Sequence, residues 1–225
     1  MHMKYVNKNH KEVPSVTTIL GVLNKSGLIE WANLIGKKGI DYKKFLEERA
    51  LIGTYTHLMI ESFLLNTEKP LIGSQKLLQE AESICNKFKS SIKDFPISNI
   101  ITEKSLAGEK FGGTLDIICD MNIDGETVKV LGDFKTSKSA FESHFIQLGG
   151  YLALLKELDK ELYDEIKYCM ILVVNKDKVI IKWITKENCE KYFSSIFLSL
   201  LTVYEELKKF KSDMESKNIF FSKKY

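Results

Sequence analysis

The sequence predicts an α/β fold in which a mixed central sheet is flanked by helices and preceded by a helical N-terminal region. Apolar residues first recur at three-to-four spacing, with charges between them, over residues 28–95. Short segments rich in Ile, Leu, Val and Thr follow, separated by Gly108 and Asp124-Gly125, as is typical of antiparallel strands. A further helical stretch, two more strands and a long amphipathic helix complete an order of elements that favours a helix-covered mixed sheet.

The N-terminal region, residues 1–95, is expected to be mainly helical. Pro14 is followed by Ser and Thr N-cap candidates, which predicts a short helix ending near Gly27. Longer helices are expected at residues 28–50, 52–65 and 74–95, the last ended by Pro96, because proline cannot continue a helix.

Residues 96–185 are expected to hold the sheet. The predicted strands are 97–106, 111–121 and 127–134, then 166–174 and 179–184 joined by a tight turn at residues 175–178. A helix at 141–158 separates the two groups, and a C-terminal helix covers 186–217. No repeat or Pro/Ser-rich linker divides the chain, so residues 1–225 are expected to form one domain.

The composition and the distribution of charged residues indicate which classes of protein the sequence can belong to. With 44% hydrophobic and 28% charged residues and a net charge of +3, the 225-residue chain neither requires nor excludes a polyanionic partner. No apolar run has the length of a membrane span and the N-terminus lacks a signal-peptide core, so a soluble, intracellular protein is expected.

Four isolated cysteines predict buried free thiols. Lysine clusters are either solvated helix faces or phosphate contacts; they comprise Lys37, Lys38, Lys43, Lys44, Lys208, Lys209, Lys211, Lys223 and Lys224.

Two acids and a lysine lie on neighbouring predicted strands. Asp116 follows Gly112-Gly113 within one strand, and Asp133 ends the next strand two residues before Lys135. Strand alternation places Asp133 and Lys135 on one face. Two adjacent carboxylates repel each other unless a cation lies between them, and Mg²⁺ or Mn²⁺ suits such oxygen ligands. An ordinary strand end, with Asp116 at a bend, is the alternative that these residues alone leave open.

Other polar residues share faces of predicted helices. His57 and Glu61 are four residues apart, as are Gln147 and Tyr151. Glu103 lies on the strand before that of Asp116 and either holds a water or second metal or pairs with a nearby lysine. Thr136 either bonds a phosphate or caps the next turn.

Taken together, these motifs resemble the RecB-like branch of the PD-(D/E)XK nucleases, which includes phage exonucleases and the mitochondrial genome-maintenance exonuclease. The resemblance runs through most of the chain. Its pieces are Pro14-Ser15-Val16-Thr17-Thr18-Ile19-Leu20, Trp31-Ala32, Gly53-Thr54-Tyr55-Thr56-His57 with Glu61, Glu103, Gly113-x-x-Asp116, Asp133-Phe134-Lys135-Thr136 and Gln147-x-x-x-Tyr151.

The resemblance implies a restriction-endonuclease-like core with a metal-dependent active site. It assigns the metal to His57, Asp116, Asp133 and the backbone carbonyl of Phe134, and a catalytic role to Lys135. The residues it implies at the substrate, or in support of the ligands, are Glu103, Glu61, Gln147, Tyr151 and Thr136.

The function expected from this resemblance is a Mg²⁺- or Mn²⁺-dependent DNA exonuclease that hydrolyses phosphodiester bonds, favouring single-stranded ends, with a metal-activated water assisted by Lys135. It would work in the bacterial or phage-infected cytoplasm, with recombination or replication proteins as partners. No phosphate-binding loop or cysteine cluster is present in the sequence, so neither ATP nor an iron-sulfur cluster is expected. An endonuclease of the same fold and a non-catalytic nucleic-acid-binding module are the alternatives.

Overall fold

A five-stranded mixed sheet lies between two groups of helices in the computed structural model, which describes residues 4–23, 26–68 and 73–217. The predicted α/β class with a helix-flanked mixed sheet is therefore confirmed. The helices are α1 Val16–Leu20, α2 Ser26–Lys37, α3 Tyr42–Leu64, α4 Gln75–Ser91, α5 Glu142–Leu158, α6 Lys160–Glu165, α7 Lys186–Cys189 and α8 Ser195–Lys217. The strands are β1 Tyr5–Val6, β2 Glu12–Val13, β3 Ile97–Ala107, β4 Gly112–Ile123, β5 Glu126–Lys135, β6 Ile166–Val174 and β7 Val179–Thr185.

The helical region differs from its prediction at two breaks. Helix α1 begins as expected, with the Ser15 hydroxyl accepting a hydrogen bond from the Thr18 amide at 3.0 Å, but it ends at Leu20 instead of near Gly27. The predicted break at residue 51 is wrong, because α3 runs through it. The break lies instead where Gly39 adopts φ +70° after α2 and the Asp41 carboxylate caps the first turn of α3.

The β1–β2 hairpin precedes α1 and was not predicted. Its strands are two residues each, too short to show an alternating pattern. The hairpin packs on the start of β4, where the Tyr5 ring lies so close to Gly112 that a Cβ there would be 2.5 Å from the Tyr5 side chain.

The main sheet has the order β3-β4-β5-β6-β7. Only the β5–β6 pair is parallel, and α5 and α6 connect its two strands. The β4–β5 hairpin turns through Asp124 and Gly125, both with positive φ, which is the two-residue turn that their sequence predicts.

Two hydrophobic cores lie on opposite faces of this sheet. In β6, Ile171 contributes to the core that contains α1, α5 and α8, whereas Leu172 contributes to the core that contains α3 and α4. Successive residues on β5 consequently face helix α5 and helix α3 in turn, because side chains alternate between the two faces of a strand.

The C-terminal region is helical from Lys186, but a π turn at Glu190–Ser194 separates α7 from α8. Helix α5 packs closely on this turn, since a Cβ on Gly149 would lie 2.7 Å from the Phe193 backbone. All four cysteines are buried free thiols, as predicted. Lys223 and Lys224 lie outside the described residues. None of the described helices combines the length and apolar character that a membrane crossing needs.

Candidate active site

Three acidic residues occupy the same level on adjacent strands. The β3–β4 register pairs Thr102 with Ile117 and Lys104 with Leu115, so Glu103 lies opposite Asp116. The β4–β5 pairing ends at Ile117 and Gly132, and Asp116 and Asp133 are the next residues along it. The Asp124-Gly125 turn thus sets Asp116 and Asp133, which the sequence predicted on neighbouring strands, side by side.

The alternation of side chains breaks at Asp116. Leu115 belongs to the core beside α5, yet Ile117, two residues later, belongs to the core beside α3. In a regular strand these two residues would share a face. On the partner strand, Glu103 has φ +47°, a left-handed conformation that is uncommon for a glutamate. The distortion on both strands places Asp116 at the boundary between the two cores.

Asp116 connects β5 to α3. Its Oδ2 accepts a hydrogen bond from the Phe134 amide at 2.8 Å and lies 3.5 Å from Nδ1 of His57. The His57 ring in turn packs edge-on against the Phe134 ring, with centroids 5.9 Å apart. Helix α3 approaches this strand end closely at Gly53, where a Cβ would lie 3.4 Å from the Thr136 hydroxyl.

The contact between His57 and Asp116 favours a charged pair. Burial lowers the pKa of His57, but the charge of Asp116 and its hydrogen bond raise that pKa, and the net shift is upward. Burial raises the pKa of Asp116, whereas the charge and hydrogen bond of His57, the Lys135 ammonium and the Phe134 amide together bring it below its usual value.

A group of potential metal ligands comprises His57, Glu103 and Asp116. One ligand atom from each lies within 4.8 Å of the others. Ligands about 2.0–2.5 Å from one divalent ion are roughly 4–5 Å apart when they lie on opposite sides of it. An imidazole with two carboxylates is a donor set suited to Mn²⁺, and its oxygens suit Mg²⁺. The residues therefore fit a single divalent cation.

Asp133 belongs to a second, more deeply buried group. Its side chain is fully buried, and its Oδ2 lies 2.5 Å from Nζ of Lys135 without satisfactory hydrogen-bond geometry. Gln147, on α5, donates from Nε2 to Asp133 Oδ1 at 2.9 Å and accepts from Lys135 Nζ at 3.1 Å. The same amide nitrogen donates to the Tyr151 hydroxyl at 2.7 Å. Gln147 thus holds the acid and the lysine together.

Burial controls the charge of this second group. It raises the pKa of Asp133 to about 6, because desolvation and the neighbouring Asp116 charge outweigh the Lys135 ammonium. Burial lowers the pKa of Lys135, but the Asp133 and Asp116 carboxylates raise it above its usual value, so the side chain keeps its proton at neutral pH. Tyr151 has a strongly raised pKa, first through burial, and stays neutral.

Glu103 as a whole residue is exposed, but its carboxylate is partly buried, and this burial together with the Asp116 charge raises its pKa to about 7. The negative charge of Glu61, one turn beyond His57 on α3, adds to this shift. Without a nearby cation, the Glu103 carboxyl is therefore only partly ionised at neutral pH.

The residues to which the resemblance assigns a role in the active site lie in or around this site. His57, Glu103 and Asp116 converge, while Asp133, Lys135 and Gln147 form the adjoining network. The metal-binding, catalytic and substrate-binding roles of all these residues, and of the Phe134 carbonyl, stay predictions. Sequence reasoning missed Tyr5, whose hydroxyl shares a 2.9 Å hydrogen bond with that of Thr114, two residues before Asp116. The Gly112-Gly113 pair was the available signal, because paired glycines often mark a close approach of another group.

Comparisons with known proteins give structural similarity without sequence similarity. No family model and no curated protein matches the chain. The crystal structure of an alkaline exonuclease, LHK-Exo from Laribacter hongkongensis, matches with a TM-score of 0.40 and 11% identity, over 91% of this chain and 95% of that one. The same exonuclease in complex with dAMP matches with a TM-score of 0.33 and 14% identity, over 72% and 86% of the two chains. Superpositions this loose do not by themselves establish a shared function.

Proposed function

We propose that this chain is a metal-dependent deoxyribonuclease of the PD-(D/E)XK type that removes nucleotides from DNA ends, preferentially single-stranded ends. The observation that carries the proposal is the meeting of His57, Glu103 and Asp116 beside the buried Asp133 and Lys135, towards the start of strand β4 and the end of β5. A structural role does not explain a fully buried carboxylate next to two others, because each like charge destabilises the fold.

The cation would be held by His57, Glu103 and Asp116, with Asp133 and the Phe134 carbonyl as further candidate ligands. When bound, a divalent cation supplies Lewis-acid polarisation of a phosphodiester and lowers the pKa of a coordinated water. Neutralising Glu103 and Asp116 also removes the repulsion that raises the pKa of Glu103.

Lys135 acts as a donor in this proposal. Its ammonium forms an ion pair with the Asp133 carboxylate and donates to the amide oxygen of Gln147, and these contacts keep its protons and its position. A protonated lysine fixed at this point can donate to a phosphate oxygen and offset the negative charge that develops there during hydrolysis. Abstraction of a proton from water by Lys135 would require a neutral amine, which the raised pKa of this lysine disfavours.

An endonuclease of the same fold is the principal alternative, and a non-catalytic nucleic-acid-binding module is a second. Both share the fold with an exonuclease, and the second lacks turnover. The cytoplasmic location and the partnership with recombination or replication proteins are also part of the proposal, and neither ATP nor an iron-sulfur cluster enters it.

The test uses end-labelled linear DNA and closed circular DNA, each single- and double-stranded, with Mg²⁺ or Mn²⁺. The wild type should release mononucleotides or short products from linear single strands and leave the circle intact. Asp133→Asn and Lys135→Met should each reduce the rate by at least about 100-fold, as expected when a positioned charge is lost. Cutting of the circle would identify an endonuclease, and binding without cleavage would identify the non-catalytic module.

The same two strands offer a matched control. Asp120 on β4 and Lys129 on β5 form an ion pair at 2.9 Å, and each lies four residues along its strand from the acid of the site. The lysine is about as shielded from solvent as Lys135, whereas the acid is somewhat more exposed than Asp133. Asp120→Asn and Lys129→Met should leave the rate within about twofold of the wild type. Equal losses in the control and the site variants would show that the effect is on folding, and would refute the assignment.

A further inference from the structure

Helix α3 carries the chain's only arginine on the side of the helix that bears His57. Arg49 is the single arginine among 33 lysines and arginines. Arg49, Gly53 and His57 follow at four-residue intervals, so they lie within about 80° of one another around the helix. Gly53 approaches the Thr136 hydroxyl directly after β5. His57 contacts the Asp116 carboxylate. This side of α3 therefore faces the candidate site and the loop that follows β5.

The Arg49 guanidinium is held in a fixed orientation but remains accessible. Its Nη1 and Nη2 atoms donate to the two carboxylate oxygens of Glu80, on α4, at 2.5 and 3.0 Å. It also lies over the Phe45 ring, 5.3 Å from the centroid. The Arg49 side chain is 44% exposed. Since a guanidinium has five N–H donors and Glu80 accepts from two of them, Arg49 can bind a second anion without leaving its position.

Two lysines add positive charge beside this ion pair. Hydrogen bonds from Arg49 lower the pKa of Glu80, and burial opposes them. The charges of Arg49, Lys176 and Lys76 lower this pKa further. Lys76 lies on α4 and Lys176 in the turn between β6 and β7, so cations from three elements act on one carboxylate. The four side chains together have a positive net charge, which attracts a polyanion.

We propose that Arg49 binds a phosphate group of the DNA strand whose end occupies the candidate site, a proposal that rests on the nuclease function proposed above. Arginine suits this role because its planar fork can donate two parallel hydrogen bonds to one phosphate. Arg49 lies eight residues before His57, roughly 12 Å along the axis of α3. At about 3.4 Å per stacked nucleotide this distance corresponds to roughly four nucleotides, and to fewer in an extended strand.

An ion pair that only joins α3 to α4 is the alternative, and its two partners distinguish the two roles. If the pair served packing alone, loss of either partner would have the same consequence. If Arg49 binds a phosphate, its loss removes the contact, whereas loss of Glu80 removes a negative charge and leaves more N–H donors for the phosphate. Arg49→Gln should therefore weaken the binding of DNA, and Glu80→Gln should not.

Fluorescence anisotropy of a labelled single strand of about 20 nucleotides, with Ca²⁺ as the divalent cation, measures this affinity. Arg49→Gln should raise the dissociation constant about tenfold, the loss expected for a hydrogen bond between charged groups. It should also reduce the slope of log affinity against log salt by about 0.7, the value for one phosphate contact on a single strand. Arg49→Lys keeps the charge and should recover part of the affinity.

Two control variants accompany these measurements. Glu80→Gln breaks the same ion pair and should bind at least as tightly as the wild type. Lys167→Gln removes a cation from an exposed ion pair with Glu126, at the start of β5 and hence at the end of that strand opposite to Lys135, and should bind within about twofold of the wild type. Circular dichroism and thermal unfolding check that each variant is folded, and Arg49→Lys retains a cation beside Glu80 if Arg49→Gln is not.

Methylphosphonate linkages, in which a methyl group replaces one charged oxygen of a phosphodiester, locate the contact. Placed singly at each of about six linkages from the strand end, one of them should weaken wild-type binding about tenfold and leave binding by Arg49→Gln unchanged. A terminal phosphate is the other source of the same chemistry, and in that case its removal, instead of a methylphosphonate, would erase the difference between the two proteins.

Three results would overturn the inference: equal affinities of the wild type and Arg49→Gln, equal losses in Arg49→Gln and Glu80→Gln, or a loss that no phosphate position removes. The first of these in a protein that cleaves DNA would leave the nuclease function intact. Binding that depends on Arg49 in a protein that does not cleave would instead refute the nuclease function and retain the phosphate contact. A wild type that does not bind the strand would refute both.

Discussion

Replacing Gln147 with leucine tests the idea that one amide holds the charge of Asp133 inside the protein. Gln147 is 7% exposed and bonds to two charged groups, the Asp133 carboxylate and the Lys135 ammonium. A hydrogen bond to a charged group contributes about 1.5–3 kcal/mol, and a leucine of similar size recovers roughly 1 kcal/mol by burial. We therefore expect Gln147→Leu to lower the free energy of unfolding by about 3 kcal/mol at pH 8.

The pH dependence of this loss identifies its cause. The pKa of Asp133 is raised in the folded protein to about 6, so its contribution to stability is present at low pH and is lost as the pH rises through 6. Removing the Gln147 donor raises this pKa further, because the donor favours the charged form. The difference in free energy of unfolding between the wild type and Gln147→Leu should therefore be smaller at pH 5, where Asp133 is protonated in both proteins, than at pH 8.

Urea unfolding at pH 5 and pH 8 measures both quantities. Tyr151→Phe is the control, because it removes only the neutral hydrogen bond between Tyr151 and Gln147 and keeps the ring that packs on Gly113; a loss of about 1 kcal/mol is expected. If Gln147→Leu were as stable as the wild type at pH 8, or destabilised equally at both pH values, Gln147 would not be what stabilises the Asp133 charge.

Three further predictions concern the cation, the third acid and the glycines. Mn²⁺ at 100 times its dissociation constant should stabilise the wild type by about 2.7 kcal/mol in thermal unfolding, and His57→Ala should remove most of that shift; a full shift in the variant would exclude His57 as a ligand. Without metal, the wild type should lose stability as the pH rises through 7, where Glu103 ionises, while Glu103→Gln should show a flatter profile of melting temperature; parallel profiles would contradict the raised pKa. Gly149→Ala should destabilise by about 1–3 kcal/mol through a clash with the π turn, whereas Gly36→Ala, with open space around it, should stabilise by about 0.5–1 kcal/mol; denaturant midpoints that fail to separate the two would contradict the packing of α5 on that turn.

The parts of the fold that the sequence predicted well are those set by local chemistry. Strand β6 has the predicted bounds because it is buried on both faces from Cys169 onwards, where an apolar run marks it. The β4–β5 turn follows from Asp124-Gly125, which tolerate the positive φ that a two-residue hairpin demands. The shared face of Asp133 and Lys135 follows from strand alternation alone.

The parts that were not predicted are helix breaks that the apolar pattern does not mark. The break between α2 and α3 was placed ten residues too late because apolar spacing continues across Gly39, whose positive φ decides the point. The separate helix α6 begins at an Asp159 cap directly after α5, where the helical pattern shows no pause. The π turn after α7 leaves no mark on the apolar pattern, and it lies where Gly149 of α5 contacts the chain.

The candidate site, like the fold, was predicted in some of its parts and not in others. The sequence alone yields two acids and a lysine on neighbouring strands, and only the resemblance to a nuclease family linked them to His57, which lies about sixty residues away in the chain. The complete burial of Asp133 and the position of Glu103 opposite Asp116 depend on strand register. Glu103 was expected among the residues that assist the site, whereas the structure groups it with His57 and Asp116.

The irregularity at Asp116 and Glu103 accounts for how one site draws on both faces of a sheet. A regular strand would commit Asp116 to the face of either α3 or α5, and His57 and Gln147 come from these two helices. The left-handed conformation of Glu103 costs about 1–2 kcal/mol, and clustered carboxylates add to this cost at neutral pH. A sequence selected for stability alone would replace both acids with apolar residues and restore the alternation. Their presence at a strained point of the sheet is what we expect of a site whose stability is completed by a bound cation.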